Sequence, residues 1–280
     1  MSQDTLPDWN QLARLDDEEV PLLGTALLIA RDEYPSLDVA GCLARLDAVA
    51  EDLRGRLEGA GDDADRIARI NRALFDELGF AGNHDDYYDP RNSYLNDVLD
   101  RRLGNPISLA VVQMEVARRL GIDLQGVSFP GHFLVQLPVR GGLLVMDPFN
   151  RGRPLAVDEL RERARPHLGG TAPDDEDLGE ILSPATPRLM AVRMLRNLKA
   201  LYVERGDFER VARSCDRLLR LDPALDGERR DRGLAYLRIG HLAGARADLS
   251  EYLRRNPDGE DADTVRQALV DASAQAPRLN

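Results

Sequence analysis

Apolar residues in the first eighty positions recur every three or four places, the spacing of helices with one buried face. Leu23, Ala26, Leu27 and Ala30 share a face in a run that stops at Pro35. Ser36 is placed to cap a second helix with Asp38 in its first turn, continued by Leu43, Leu46, Ala50, Leu53 and Leu57. A third runs through Ile67, Ile70, Leu74 and Leu78 and stops at Gly79. From Phe80 the chain turns to Asn, Asp, Gly and Tyr, which predicts a structured loop and then a short helix over 92–102. Asn105-Pro106 suits an N-cap and first helical position. The helix they open, over 107–120, is apolar nearly all round and so is predicted to be buried on most sides, with Gly121 as its C-cap. Three strand-like runs follow at 124–129, 132–137 and 143–146, with Gly141-Gly142 as a hairpin turn. The pattern predicts an α+β domain with one central helix and a small antiparallel sheet.

Residues 165–187 are rich in proline, breaks and clustered acids, and read as a linker or draped connector. Beyond them the chain repeats itself. Tyr202 and Tyr236, Gly206 and Gly240, and Pro223 and Pro257 all share the 34-residue period of tetratricopeptide helix pairs. Leu198, Tyr202, Cys215 and Leu218 would fill the first seam, and Tyr236, Ala245, Leu249 and Tyr252 the second. Lys199 falls at a position that is usually small. A helix over 262–273 would cap the stack. The expected organisation is a helical N-terminal segment (1–79), an α+β core (80–164), a linker (165–187) and an all-α repeat (188–280).

Composition narrows the functions available. The chain has 280 residues and a net charge of −12, which disfavours nucleic acid as a partner. No apolar run reaches the roughly 18–20 residues a membrane span needs, and the first twenty residues lack the regions of a secretory signal. Two cysteines, Cys42 and Cys215, make no disulfide framework and suit small buried positions. The expected address is the cytoplasm. No cofactor motif or Gly-rich phosphate loop is present.

His132 and Asp147 carry the most chemistry. The hairpin brings His132, before one strand, to the same end as Asp147, which closes the next. A carboxylate there fixes the imidazole tautomer and raises its basicity. A buried structural His–Asp bond, or an Asp capping the turn before Pro148, accounts for the same spacing. Ser108 is the only hydroxyl in the first turn of the buried helix, where it is either a nucleophile or a helix-start residue bonded to backbone. Asn105, Pro106, Gly131 and Asn92 are candidate cleft-lining residues; Asn83, Asn92 and Asn96 equally suit buried backbone groups around the helix start. His84 among Asp85, Asp86 and Asp89 lacks a spaced second histidine, so a self-bonded loop is expected there and no metal site. His167 and His241 read as surface residues.

The strings GNPISLA, FPGHFL and DPFN, in that order and spacing, resemble the core of a bacterial family, described as Sir-type regulators, that joins a transglutaminase-like (papain-like) domain to C-terminal tetratricopeptide repeats. The resemblance implies a Cys–His–Asp triad in catalytic relatives, with His132 and Asp147 at the His and Asp positions. The Cys position falls at or beside Pro106, which has no nucleophile. Ser108, two residues on, is rotated by about 200° around the helix. The resemblance therefore implies a degenerate site, and an adaptor or regulator that binds a protein or peptide through its repeats. The alternative is a hydrolase or acyl transferase that uses His132 and Asp147 with Ser108 or another non-standard nucleophile.

Overall fold

The structure, a computed structural model, describes residues 6–274. In chain order these form α1 (Trp9–Leu12), α2 (Leu22–Glu33), α3 (Val39–Arg56), α4 (Asp63–Asn71), β1 (Ala81–Gly82), α5 (Leu95–Arg101), β2 (Leu103–Gly104) and α6 (Pro106–Arg119). Next come β3 (Gln125–Val127), β4 (Leu134–Val139), β5 (Gly142–Asp147), β6 (Arg153–Pro154), α7 (Val157–Ala164) and α8 (Asp175–Ile181). Five helices complete the chain: α9 (Pro187–Glu204), α10 (Phe208–Leu221), α11 (Asp226–Arg238), α12 (Leu242–Arg255) and α13 (Ala262–Ala274). The chain divides into two compact units. Among the described residues the first holds 6–7 and Asp16–Ala191, and the second holds Asp8–Leu15 and 192–274.

The first unit is α+β, built around α6. Ile107, Leu109, Ala110, Val111, Val112, Val116 and Ala117 are all buried, so nearly every side of this helix meets another element. It packs against α2, α3, α4 and α5 on its helical sides and against β3 and β4 on the other. The sheet runs β3-β4-β5-β6, antiparallel throughout, with Val135 opposite Met146 and Leu137 opposite Leu144. Side chains alternate between the two faces. Val127, Leu134 and Val145 join Leu160 and Ala164 of α7 in one cluster, while Leu144 and Met146 point to the other face.

Three local expectations change. Asp38, not Ser36, caps α3, its carboxylate accepting from Gly41 N at 2.9 Å. The third helix does not run regularly to Gly79. After Asn71 it widens into a π-helical turn over Arg72–Glu77. Residues 165–187, expected as a linker or draped connector, lie against the core and carry a helix. They contain α8, whose Leu178, with Leu182 just after it, packs into the sheet cluster, and Ala185 N donates to Gly126 O at 2.8 Å beside β3. The division between the units accordingly lies inside α9, at Ala191–Val192.

The second unit is an all-α repeat of paired helices, α9–α10 and α11–α12, followed by α13. Gly206 and Gly240 turn each pair at φ 68° and 75°. Trp9 and Leu12 of α1 are buried in this unit, where α1 packs on α10 and Arg217 lies over the Trp9 ring at 5.3 Å. The 34-residue shift equates Lys199 with Gly233 and Cys215 with Leu249, so the large and small partners of the seam are exchanged between repeats. In the second repeat a Cβ on Gly233 would lie 2.8 Å from Leu249. In the first, Lys199 Nζ donates to Glu228 Oε2 at 2.5 Å and Asp231 Oδ2 at 2.7 Å, and Cys215 is fully buried beside the same Glu228. Pairing is what makes a lysine tolerable at this small, partly buried position.

Candidate functional site

His132 is set by the turn that precedes it. Its N–H donates to Phe129 O at 3.1 Å, with Pro130 and Gly131 at the two central positions and Gly131 at φ 67°, the arrangement a type II turn demands. A side chain at 131 would also run into the ring of His167, 2.3 Å from its Nε2. Asp147 ends β5 and caps the short 3₁₀ turn Pro148–Asn150, its Oδ1 accepting from Phe149 N at 3.1 Å and Asn150 N at 3.3 Å. His132 Nε2 lies 2.8 Å from Asp147 Oδ1. Asp147 Oδ2 accepts from Arg163 Nη1 of α7 at 2.8 Å and from Asn150 Nδ2 at 2.6 Å.

Asp147 is completely buried, which pushes its carboxyl upward, but the bonds from His132, Arg163 and Asn150 outweigh that and hold it far below the usual carboxylate range. An ionised Asp147 requires His132 to present its Nε2 proton to it. In the neutral ring the lone pair is then on Nδ1, which is the basic nitrogen.

The first turn of α6 holds the other expected residues. Asn105 caps it, Oδ1 accepting from Ser108 N at 3.0 Å, and Pro106 occupies the first helical position. Ser108 is fully buried. Its Oγ bonds are to Asn92 O at 2.6 Å, Asn105 O at 3.1 Å and Asn105 N at 3.0 Å, and none goes to His132. Gly104 is required by this packing, since a Cβ there would sit 2.7 Å from Ser108 Oγ. Asn92 is also buried and supports the loop before it: Nδ2 donates to Asp86 O at 2.8 Å and Tyr87 O at 3.2 Å, and Oδ1 accepts from Asn83 Nδ2 at 3.0 Å.

That loop carries an aromatic group which sequence reasoning did not connect to the site. Phe149, two residues after Asp147, meets the rings of His84 at 4.5 Å, Tyr87 at 5.7 Å and His132 at 6.0 Å between centroids. β1 approaches Phe149 so closely that only glycine fits at 82. Three of the four histidines, His84, His132 and His167, thus gather around Phe149 and Gly131. Arg163 was also missed, because a helical arginine 16 residues beyond Asp147 has no distinguishing local pattern. Among the described residues no group of three or more His, Cys, Asp or Glu side chains is arranged to hold a metal ion, and no helix is long and apolar enough to cross a membrane.

Neither thiol is poised as a nucleophile. Burial raises the Cys42 thiol, and Cys215, in the second unit, is pushed up to about 12. Thiols so shifted stay protonated at neutral pH. The second unit has its own concavity, a cavity of about 870 Å³. Val203, Phe208, Val211, Leu234, Leu237 and Ala268 make its apolar lining, with Asp231, Arg238 and Asp271 among its polar groups.

A family model described as the transglutaminase-like superfamily matches residues 40–196, more than half of the chain. This protein belongs to the transglutaminase-like superfamily. A tetratricopeptide-repeat model matches residues 198–270, where such repeats generally mediate protein–protein interaction. A UPF0162 protein of Xylella fastidiosa (strain 9a5c) is 58% identical over 268 residues, covering 96% of this chain and 95% of the relative. A UPF0162 protein of Pseudomonas aeruginosa is 32% identical over 87% of this chain and 88% of its own. Mouse F-box only protein 21 is 39% identical over 107 residues, which are 35% of this chain and 17% of that protein. No solved structure matches the chain. Membership of the superfamily gives the His132–Asp147 pair its context as a His–Asp pair on a transglutaminase-like core.

Proposed function

We propose that this protein is a non-catalytic, cytoplasmic member of the superfamily, an adaptor or regulator that holds a protein or peptide partner on its helical repeats. The first turn of α6 carries this reading. Acyl transfer by the superfamily's route needs a nucleophile aligned with the helix N-terminus and the imidazole. Proline stands at the first helical position, and the one hydroxyl in that turn donates to the Asn92 and Asn105 carbonyls. The Asp147 carboxylate has a structural role that survives without catalysis, since it joins β5, the 3₁₀ turn and α7 through Phe149 N, Asn150 and Arg163.

The intact 2.8 Å bond between His132 and Asp147 favours a second reading, a hydrolase or acyl transferase with His132 as base, Asp147 as its orienter and Ser108 as nucleophile. Fluorogenic ester, amide and γ-glutamyl probes separate the two. The adaptor reading expects no turnover beyond that of His132→Ala. Turnover that disappears in His132→Ala overturns it. On the binding side, chemical crosslinking places the partner on residues 192–274, and Leu237→Asp in the repeat concavity abolishes capture while His132→Ala retains it. The opposite pattern moves binding to the core.

A further inference from the structure

α4 presents Ala64, Ile67, Ala68 and Asn71 along one stripe, continued by Arg72 just after it. Opposite them stand Leu144 and Met146 of β5 and the segment Arg151–Pro154, and the space between is a cavity of about 280 Å³. The two alanines leave the room that longer side chains would fill. Asn71 is a fixed wall, with Nδ2 donating to Gly152 O at 3.1 Å and Oδ1 accepting from Gln113 at 2.6 Å. Because strand side chains alternate, this hollow lies on the sheet face opposite Asp147.

Its mouth is cationic in a chain of net charge −12. Arg72, Arg151 and Arg153 line it against a single acid, Asp76. Arg153 is held by Glu159 at 2.9 Å. Arg151 reaches Asp76 only at 3.8 Å, and Arg72 makes no ion pair or side-chain hydrogen bond among the described residues. The backbone around these two arginines is irregular on both sides of the hollow. Arg72 opens the π-helical turn, a feature that recurs at functional sites. Arg151 adopts φ 61°, left-handed, with Gly152 next at φ 67°. Packing requires the glycine at 152, since a Cβ there would lie 2.7 Å from Asn71. Nothing in the packing requires an arginine at 151, where its side chain is largely exposed and glycine would hold the turn with less strain.

We propose that this hollow binds a small organic anion, a carboxylate or phosphate headgroup between Arg72 and Arg151 with a short apolar tail against Ala68, Leu144 and Pro154, above the buried Ile67 and Met146. Two guanidinium forks supply the paired donors such a headgroup takes. The volume admits about ten non-hydrogen atoms, at the small end of ligand sites.

The test is titration of the full chain with benzoate, phenyl phosphate and neutral benzyl alcohol, reading the ¹³C ε-methyl signal of Met146. Both anions, or the one whose headgroup fits, shift that signal saturably, and the tighter of the two identifies the headgroup as carboxylate or phosphate. Benzyl alcohol does not. Arg72→Gln and Arg151→Gly each weaken the anion about tenfold, the loss of one charge-assisted contact. Arg140→Gln, which removes an exposed arginine at the β4–β5 turn, leaves affinity unchanged and controls for net charge. Arg151→Gly also raises the melting temperature while it loses binding, a combination that a merely structural arginine does not produce. No shift of Met146 by either anion at about 10 mM, equal binding of benzyl alcohol, or unchanged affinity in Arg72→Gln and Arg151→Gly overturns the proposal.

Discussion

Asp147 is the residue on which the core site turns. Its carboxylate is completely buried and accepts from His132, Arg163, Asn150 and two backbone N–H groups, so its ionised form belongs to the folded state. A carboxyl held below its unfolded value contributes stability that is present above the unfolded pKa, near 3.9, and lost as pH falls through the folded one. Asp147→Asn keeps the shape but removes the buried charge that His132 and Arg163 bond to, while Arg163 keeps Glu159 at 2.7 Å, and costs about 2 kcal/mol at pH 7 in urea unfolding. The difference from the parent protein shrinks as the pH is taken below about 4. A pH-independent difference means that Asp147 is not ionised and paired as described. The pairing with His132 was readable from the spacing around a glycine turn. The rest of the constellation was not, because Arg163, His84 and His167 come from separate loops and helices and meet only through tertiary packing, Arg163 on Asp147, His84 on Phe149 and His167 beside Gly131.

At the scale of elements, legibility followed the strength of local signals. α6 was foreseen because a cap, a proline and an unbroken apolar surface agree, and the structure starts it at Pro106 and ends it at Arg119. The repeat helices were foreseen because glycine turns and tyrosine anchors recur at a fixed distance. The π-helical turn was not, since Ile67, Ile70, Leu74 and Leu78 keep a helical period whether or not one turn widens. α8 was hidden among acids and prolines, because only Leu178 and Leu182 mark its buried side. The cap of α6 is testable. Asn105 bonds both Ser108 N and Ser93 Oγ, so Asn105→Ala costs about 1–2 kcal/mol in chemical denaturation, while Asn105→Asp, which keeps the capping oxygen, costs less. Equal losses in the two variants show that capping is not what Asn105 contributes.

For the whole molecule, the division into two units was expected but its membership was not. The repeat was expected to begin at 188, after a linker over 165–187; by contacts the second unit begins at Val192 and also takes in Asp8–Leu15. Trp9, the one tryptophan, therefore reports on that unit. Leu12 is completely buried there, and Leu12→Ala lowers the stability measured by tryptophan fluorescence by about 2–3 kcal/mol. An unchanged fluorescence midpoint removes α1 from the repeat unit's core.

That membership also gives the protein a birth order. The strip bearing Trp9 and Leu12 leaves the ribosome well before its packing partner α10, which begins at Phe208, about 195 residues later. At 5–20 residues per second the wait is roughly 10–40 s. Through that interval an apolar tryptophan and leucine must stay solvated, or be shielded by a chaperone, while the intervening core is made. The repeat unit is thus discontinuous in the chain and closes by recapturing a segment that was synthesised before the core.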